Sequence, residues 1–83
     1  MKSKFIKKVN QVSFQRNGIS GRPFYQVDFV LADPEVRLIA IIPSDSTDIE
    51  CFVINPADMD SHWRGDRFYF EVKKVVDDWS KTR

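Results

Sequence analysis

Between Phe24 and Ile42 the chain alternates twice between apolar and other residues. Tyr25, Val27, Phe29 and Leu31 recur at every second position, with Gln26, Asp28 and Val30 between them. That period of two marks a strand with one side turned to a core. After Asp33-Pro34-Glu35 the alternation resumes in Val36, Leu38, Ala40 and Ile42. Proline at the second position of a type I turn has the φ that position needs, so a hairpin is predicted. In it Leu31 faces Val36, Phe29 faces Leu38, Val27 faces Ala40 and Tyr25 faces Ile42. A slip of one residue would carry Gln26 and Asp28 into the apolar layer, so the pairing is strongly specified.

Two more strands flank this hairpin. The first runs from about Lys4 to Arg16. Val12 and Phe14 alternate, but Phe5, Ile6 and Val9 break the period. A β-bulge near Asn10-Gln11 restores it; a short helix over 4–9 is the alternative. Asn17-Gly18 is a strong hairpin signal, loosened by Ser20-Gly21 and Pro23. The fourth strand is predicted at Ile49–Ile54, after the polar loop Ser44–Asp48. Setting Ile42 against Ile49 brings Ala40 to Cys51 and Leu38 to Val53. Sequential strands joined by short loops give a meander.

The last third reads as helical. Asn55-Pro56 resembles an N-cap followed by proline in the first turn, with Asp58 and Asp60 at the positive end of one or two turns reaching Ser61. Gly65-Asp66 breaks the chain. Phe68, Val72, Val75, Val76 and Trp79 then form the stripe of an amphipathic helix. Phe68-Tyr69-Phe70-Glu71-Val72 also alternates, which keeps a strand at 67–73 open.

The expected fold is therefore α+β, a single small domain over residues 1–83. A four-stranded antiparallel meander carries a short helical turn and a C-terminal helix packed on one face. A small curled barrel with a fifth strand at 67–73 is the alternative. The expected core is Val12, Phe14, Val27, Phe29, Leu31, Leu38, Ala40, Cys51, Val53, Phe68, Val72, Val75 and Trp79.

The reverse side of this sheet is the more informative one. It collects Val30, Ile39, Ile41, Phe52 and Ile54, together with Phe24, among Arg37, Asp28 and Glu50. One helix cannot cover both faces. Large exposed apolar patches on small domains mark contact surfaces, so these five residues are candidates for a homodimer interface. Curling of the sheet onto itself is the other way to cover them.

Composition narrows the classes. At 83 residues, 42% hydrophobic and 13% aromatic, the chain is too apolar for disorder. The lone Cys51 lies in an apolar run and reads as a packed, reduced thiol. One histidine and one cysteine do not make a zinc site, so no metal or cofactor is expected. The longest apolar run, Leu38–Ile42, is too short to span a bilayer, and a reducing cytoplasm is the expected setting. No catalytic constellation emerges: Ser61, His62 and Asp66 contain the residue types of a triad, but near neighbours in sequence rarely aim at one another. The chain is expected to be non-enzymatic.

Charge adds two alternatives. Residues 1–22 carry +6, residues 23–66 carry −7 and residues 67–83 carry +2, for a net +1. Pairing of the basic start with the acidic middle accounts for that asymmetry most simply. Lys4, Lys7, Lys8, Arg16 and Arg22, interleaved with Phe5, Phe14 and Phe24, would also suit single-stranded nucleic acid. A small-molecule site between sheet and helix, touched by Tyr25, Trp63 and Arg64, is the third possibility.

Overall fold

The structure, a computed structural model, describes residues 5–16, 21–45 and 47–82. Five antiparallel strands follow one another as β1 (Ile6–Gln15), β2 (Phe24–Ala32), β3 (Glu35–Pro43), β4 (Phe52–Asn55) and β5 (Asp58–Arg64). A 3₁₀ turn at Asp66–Phe68 leads into the helix α1 (Tyr69–Lys81). The sheet order is β1-β2-β3-β4-β5, an open meander whose edges are β1 and β5. It is thus an α+β fold with the helix at the C-terminus, as the alternation predicts, but with five strands instead of four. The curled barrel is not formed, and 67–73 belongs to the 3₁₀ turn and the helix.

The β2–β3 hairpin has the expected register at all four apolar pairs: Leu31 with Val36, Phe29 with Leu38, Val27 with Ala40 and Tyr25 with Ile42. Its turn differs. Ala32 pairs with Glu35, so Pro34 occupies the third turn position, and the Asp33–Pro34 bond is cis, which is a type VI turn. In β1 the register shifts between Ile6 and Lys8 and again between Val9 and Gln11. The second irregularity is the bulge expected near Asn10-Gln11. The first turns Ile6 to the core side, opposite Leu31, and settles the start of this segment as strand. The Asn17-Gly18 turn lies outside the described residues.

Two expectations in the second half are corrected. The β3–β4 pairing sets Ala40 against Val53 and Ile41 against Phe52, two residues away from the expected match. A shift of two leaves every side chain on its expected face, so hydrophobic pattern alone does not exclude it. Ile49 is consequently outside the ladder and half exposed, at 49%. The short helix at Asn55–Ser61 is absent. Instead Asn55 pairs with Asp58 across a tight turn, and the Asn55 Oδ1 accepts a hydrogen bond from the Ala57 amide at 3.0 Å. Asn-Pro initiates a turn here, with the side chain supplying the bond that an N-cap would have made.

The core lies between the sheet and α1. Val27, Phe29, Leu31, Leu38, Ala40, Cys51, Val53, Phe68 and Val72 are buried as expected. Ile6, Ile42 and Val76 join them, while Val12, Phe14, Val75 and Trp79 sit at its margin, half-buried. Phe68 is the keystone of the helical side, with its ring 5.3 Å from Phe5 in a T-shaped pair and 6.2 Å from Phe29. The Arg67 guanidinium lies 4.8 Å above the Phe68 ring. The Phe5 amide donates to both carboxylate oxygens of Glu71, at 3.1 and 3.0 Å, and its carbonyl accepts from the Ala32 amide at 2.8 Å. The helix therefore holds the entry to β1 against the end of β2.

Candidate functional site

Cross-strand neighbours share a face, so the register lays out the second side of the sheet row by row. Gln26, Ile41, Phe52 and Arg64 stand side by side across β2, β3, β4 and β5, and Asp28, Ile39, Ile54 and His62 form the next row. On β1, Ser13 borders Gln26 and Gln11 borders Asp28. The apolar centre is thus a quartet, Ile39, Ile41, Phe52 and Ile54. Val30, the fifth residue expected there, pairs with Arg37 and Lys8. It lies outside the quartet, one step along β2 beyond Asp28.

No element covers this side among the described residues. Ile39, Ile41, Ile54 and Val30 are half-buried by their neighbours, and Phe52 is 39% exposed. The quartet has unlike borders. Toward β5 stand Arg64, whose guanidinium is 5.9 Å from the Phe52 ring centre, and the exposed His62. Toward β1 stand Gln26, Gln11, Ser13 and Asp28. Arg37 grips Asp28 with two nitrogens, Nη2 at 2.6 Å and Nε at 3.0 Å, and Asn10 adds a bond at 3.3 Å. The Arg37 hydrogen bond holds the Asp28 carboxyl below the usual carboxylate range, against the opposing effect of partial burial.

The stretch after β5 is tied down. Arg64 Nε donates to Asp66 Oδ1 at 2.9 Å, and the same oxygen accepts from the Cys51 amide at 3.3 Å. These bonds hold the Asp66 carboxyl below its ordinary value, with Arg64 the main cause. Arg64 Nη2 also reaches the Ile49 carbonyl at 3.4 Å.

Tyr25, Trp63 and Arg64 do not converge. Tyr25 is on the helix side, 4.9 Å from Phe14 and 6.3 Å from Trp79 by ring centres. Trp63 sits opposite Val53 on that same side, with β3 and β4 between it and Tyr25, and is 41% exposed. Arg64, next in the strand, turns to the other face.

The basic start is partly paired with the acidic middle, as its charge suggests. Lys7 meets Glu35 at 2.7 Å and Arg22 meets Asp45 at 2.9 Å. Lys8 and Arg16 are exposed and have no ion pair among the described residues, and Lys4 lies outside them. Exposed pairs of this kind are worth about 0–1 kcal/mol each. They do, however, occupy two of the cations that a polyanion would need. Among the described residues no cluster of three or more His, Cys, Asp or Glu is placed to hold a metal ion.

Cys51 is fully buried. Burial pushes its thiol from 9.0 up to about 12, and the Asp66 charge adds to the shift. Because the folded state disfavours the thiolate, the unfolded chain loses its proton first. Stability should therefore fall as pH rises above about 9 and stop falling from this cause near 12. Urea melts across that range should show the decline, and Cys51→Ala should flatten it. A wild-type thiol that reacts with a disulfide reagent at neutral pH as fast as in urea would refute the buried state.

The second-face quartet and its two unlike borders remain as the arrangement best suited to binding. No element among the described residues covers it. No protein-family model matches this chain, and neither a curated protein nor a solved structure matches it.

Proposed function

We propose that this chain is a small non-enzymatic interaction module that works as a homodimer, packing the second face of one sheet on the same face of another. The observation that carries this reading is the open quartet Ile39, Ile41, Phe52 and Ile54. It faces away from the only helix of the described residues and is framed by polar side chains. Apolar centres with polar rims are the usual anatomy of protein contacts. Sheets stack about 10 Å apart with side chains interdigitating, a spacing at which two such quartets bury one another. Fully burying an Ile or Phe side chain is worth roughly 1.5–3 kcal/mol. These four are already partly shielded, so each contributes a fraction of that in both copies.

Light scattering coupled to gel filtration tests the reading. The wild type should weigh twice its 9.7 kDa chain. Ile39→Asp combined with Phe52→Asp should give the single-chain mass with an unchanged far-ultraviolet circular dichroism spectrum. A wild type that stays at the single-chain mass at every accessible concentration refutes the homodimer.

A further inference from the structure

Resting on the self-association reading, we infer that the second copy is related by a two-fold axis that runs parallel to the strands, between β3 and β4, so that Arg64 of each chain meets Gln26 of the other. Two face-to-face arrangements keep the quartets in register. With the axis parallel to the strands, the two borders are exchanged. Ile41 then lies over the partner's Phe52, Ile39 over the partner's Ile54, Arg64 over the partner's Gln26 and His62 over the partner's Asp28. With the axis across the strands, each strand lies over its own copy and the rows are exchanged. Arg64 then lies over the partner's His62, twice, and Gln26 over the partner's Asp28.

The borders themselves decide between these arrangements. Arg64 is a permanent cation with five N–H donors and no acceptor. Within its own chain Nε is bonded to Asp66 and Nη2 to the Ile49 carbonyl, which leaves donors to satisfy. Placed over His62 of the partner it would meet neither a carboxylate nor an amide oxygen. The β1–β2 border offers what it lacks. The Gln26 and Gln11 side chains have no hydrogen-bond partner among the described residues, although Gln26 is half-buried. The Gln26 amide, in the same row as the quartet and open to solvent, has an oxygen free to accept from a donor on another chain. Asp28 is already matched by Arg37 and Asn10, so the partner's border meets His62 there with a neutralised pair. Complementary borders fix orientation even where they add little affinity.

A spin label at Gln11→Cys reads the orientation directly, because Gln11 is exposed on the edge strand and Cys51 is too buried to be labelled. With the axis parallel to the strands the two labels are five strand spacings apart, about 26 Å between Cα atoms once the gap between sheets is included. With the axis across the strands they are about 12 Å apart. Double electron–electron resonance should give the long distance. A second measurement needs no label: Gln26→Glu should tighten the dimer several-fold through a charge-assisted bond to Arg64 of the partner, and Gln26→Lys should weaken it. A distance near 12 Å, or Gln26→Glu and Gln26→Lys dimers as tight as the wild type, would overturn the orientation while leaving self-association intact. A single-chain mass for the unlabelled wild type would overturn the self-association reading itself.

Discussion

Phe68→Ala is expected to leave much of the protein unfolded at room temperature. The Phe68 ring is 1% exposed and packs both against Phe5, just before β1, and against Phe29 at the centre of β2. Truncating a fully buried phenylalanine costs roughly 3–5 kcal/mol in lost transfer energy and residual cavity. Native domains are stable by about 5–15 kcal/mol, and a chain this short sits near the low end. The cavity would open where the 3₁₀ turn joins α1. There the Phe68 amide is bonded to the Gly65 carbonyl at 3.0 Å, so the backbone cannot move in to fill it. Phe70→Ala is the matched control. Phe70 is 68% exposed, and its removal should change stability by no more than about 0.5 kcal/mol. Urea melts at one fixed protein concentration, needed because self-association raises apparent stability, should separate the two variants. Similar midpoints for Phe68→Ala and the wild type would mean that the helix is not held by this ring.

How much of this fold could be read from the chain depends on which side of each strand the core dictates. In the β2–β3 hairpin, Gln26 and Asp28 punish any slip by one, and the pairing there matches expectation residue for residue. In β4 the alternation Cys51, Val53 against Phe52, Ile54 fixes the faces but not the position along β3. A slide by two residues leaves the same layers filled. What selects the observed register lies outside the apolar pattern. The Asn55-Pro56 turn starts a further strand, and the Gly65 amide anchors to the Cys51 carbonyl at 2.7 Å, so Phe52–Asn55 is the segment left to pair.

The fifth strand had a signal that Asn55-Pro56 obscured. Asp58, Asp60, His62 and Arg64 alternate with Met59, Ser61 and Trp63, a period of two lacking the aliphatic residues that usually advertise it. An edge strand needs few of them, since one of its sides meets solvent. Helix-start chemistry and turn chemistry use the same residues, because in both the Asn side chain satisfies a free backbone amide. Placing β5 also rearranges the candidate site. It brings Arg64 and His62 to the border of the apolar quartet, separates Trp63 from Arg64, and removes the convergence with Tyr25 that a loop would have allowed. Val30 is the reverse case. Its face was legible, but its distance from the quartet followed only from the β2–β3 and β1–β2 registers taken together.

Gly65→Ala should destabilise the fold by about 1–3 kcal/mol, the range for forcing a methyl group into a packed core. The backbone is not the obstacle, since φ at Gly65 is −110°, an angle alanine adopts freely. The obstacle is space. A Cβ there would stand 2.5 Å from Val53 Cγ2 and 3.1 Å from Phe68 Cδ2. Val53 and Phe68 are both fully buried and cannot swing aside, and the bond to the Cys51 carbonyl prevents Gly65 from retreating. The usual benefit of replacing glycine, a less disordered unfolded chain, offsets only about 0.4–1 kcal/mol. The mechanism predicts a specific rescue. Val53→Ala removes the methyl group that the added Cβ would strike, so the double variant should be more stable than the sum of the two single losses, with a coupling within the roughly 0.5–3 kcal/mol seen for touching residues. Strictly additive losses would show that the 3₁₀ turn shifts to admit the methyl group, and that the close approach of Gly65 to β4 is not what seats the helix on the sheet.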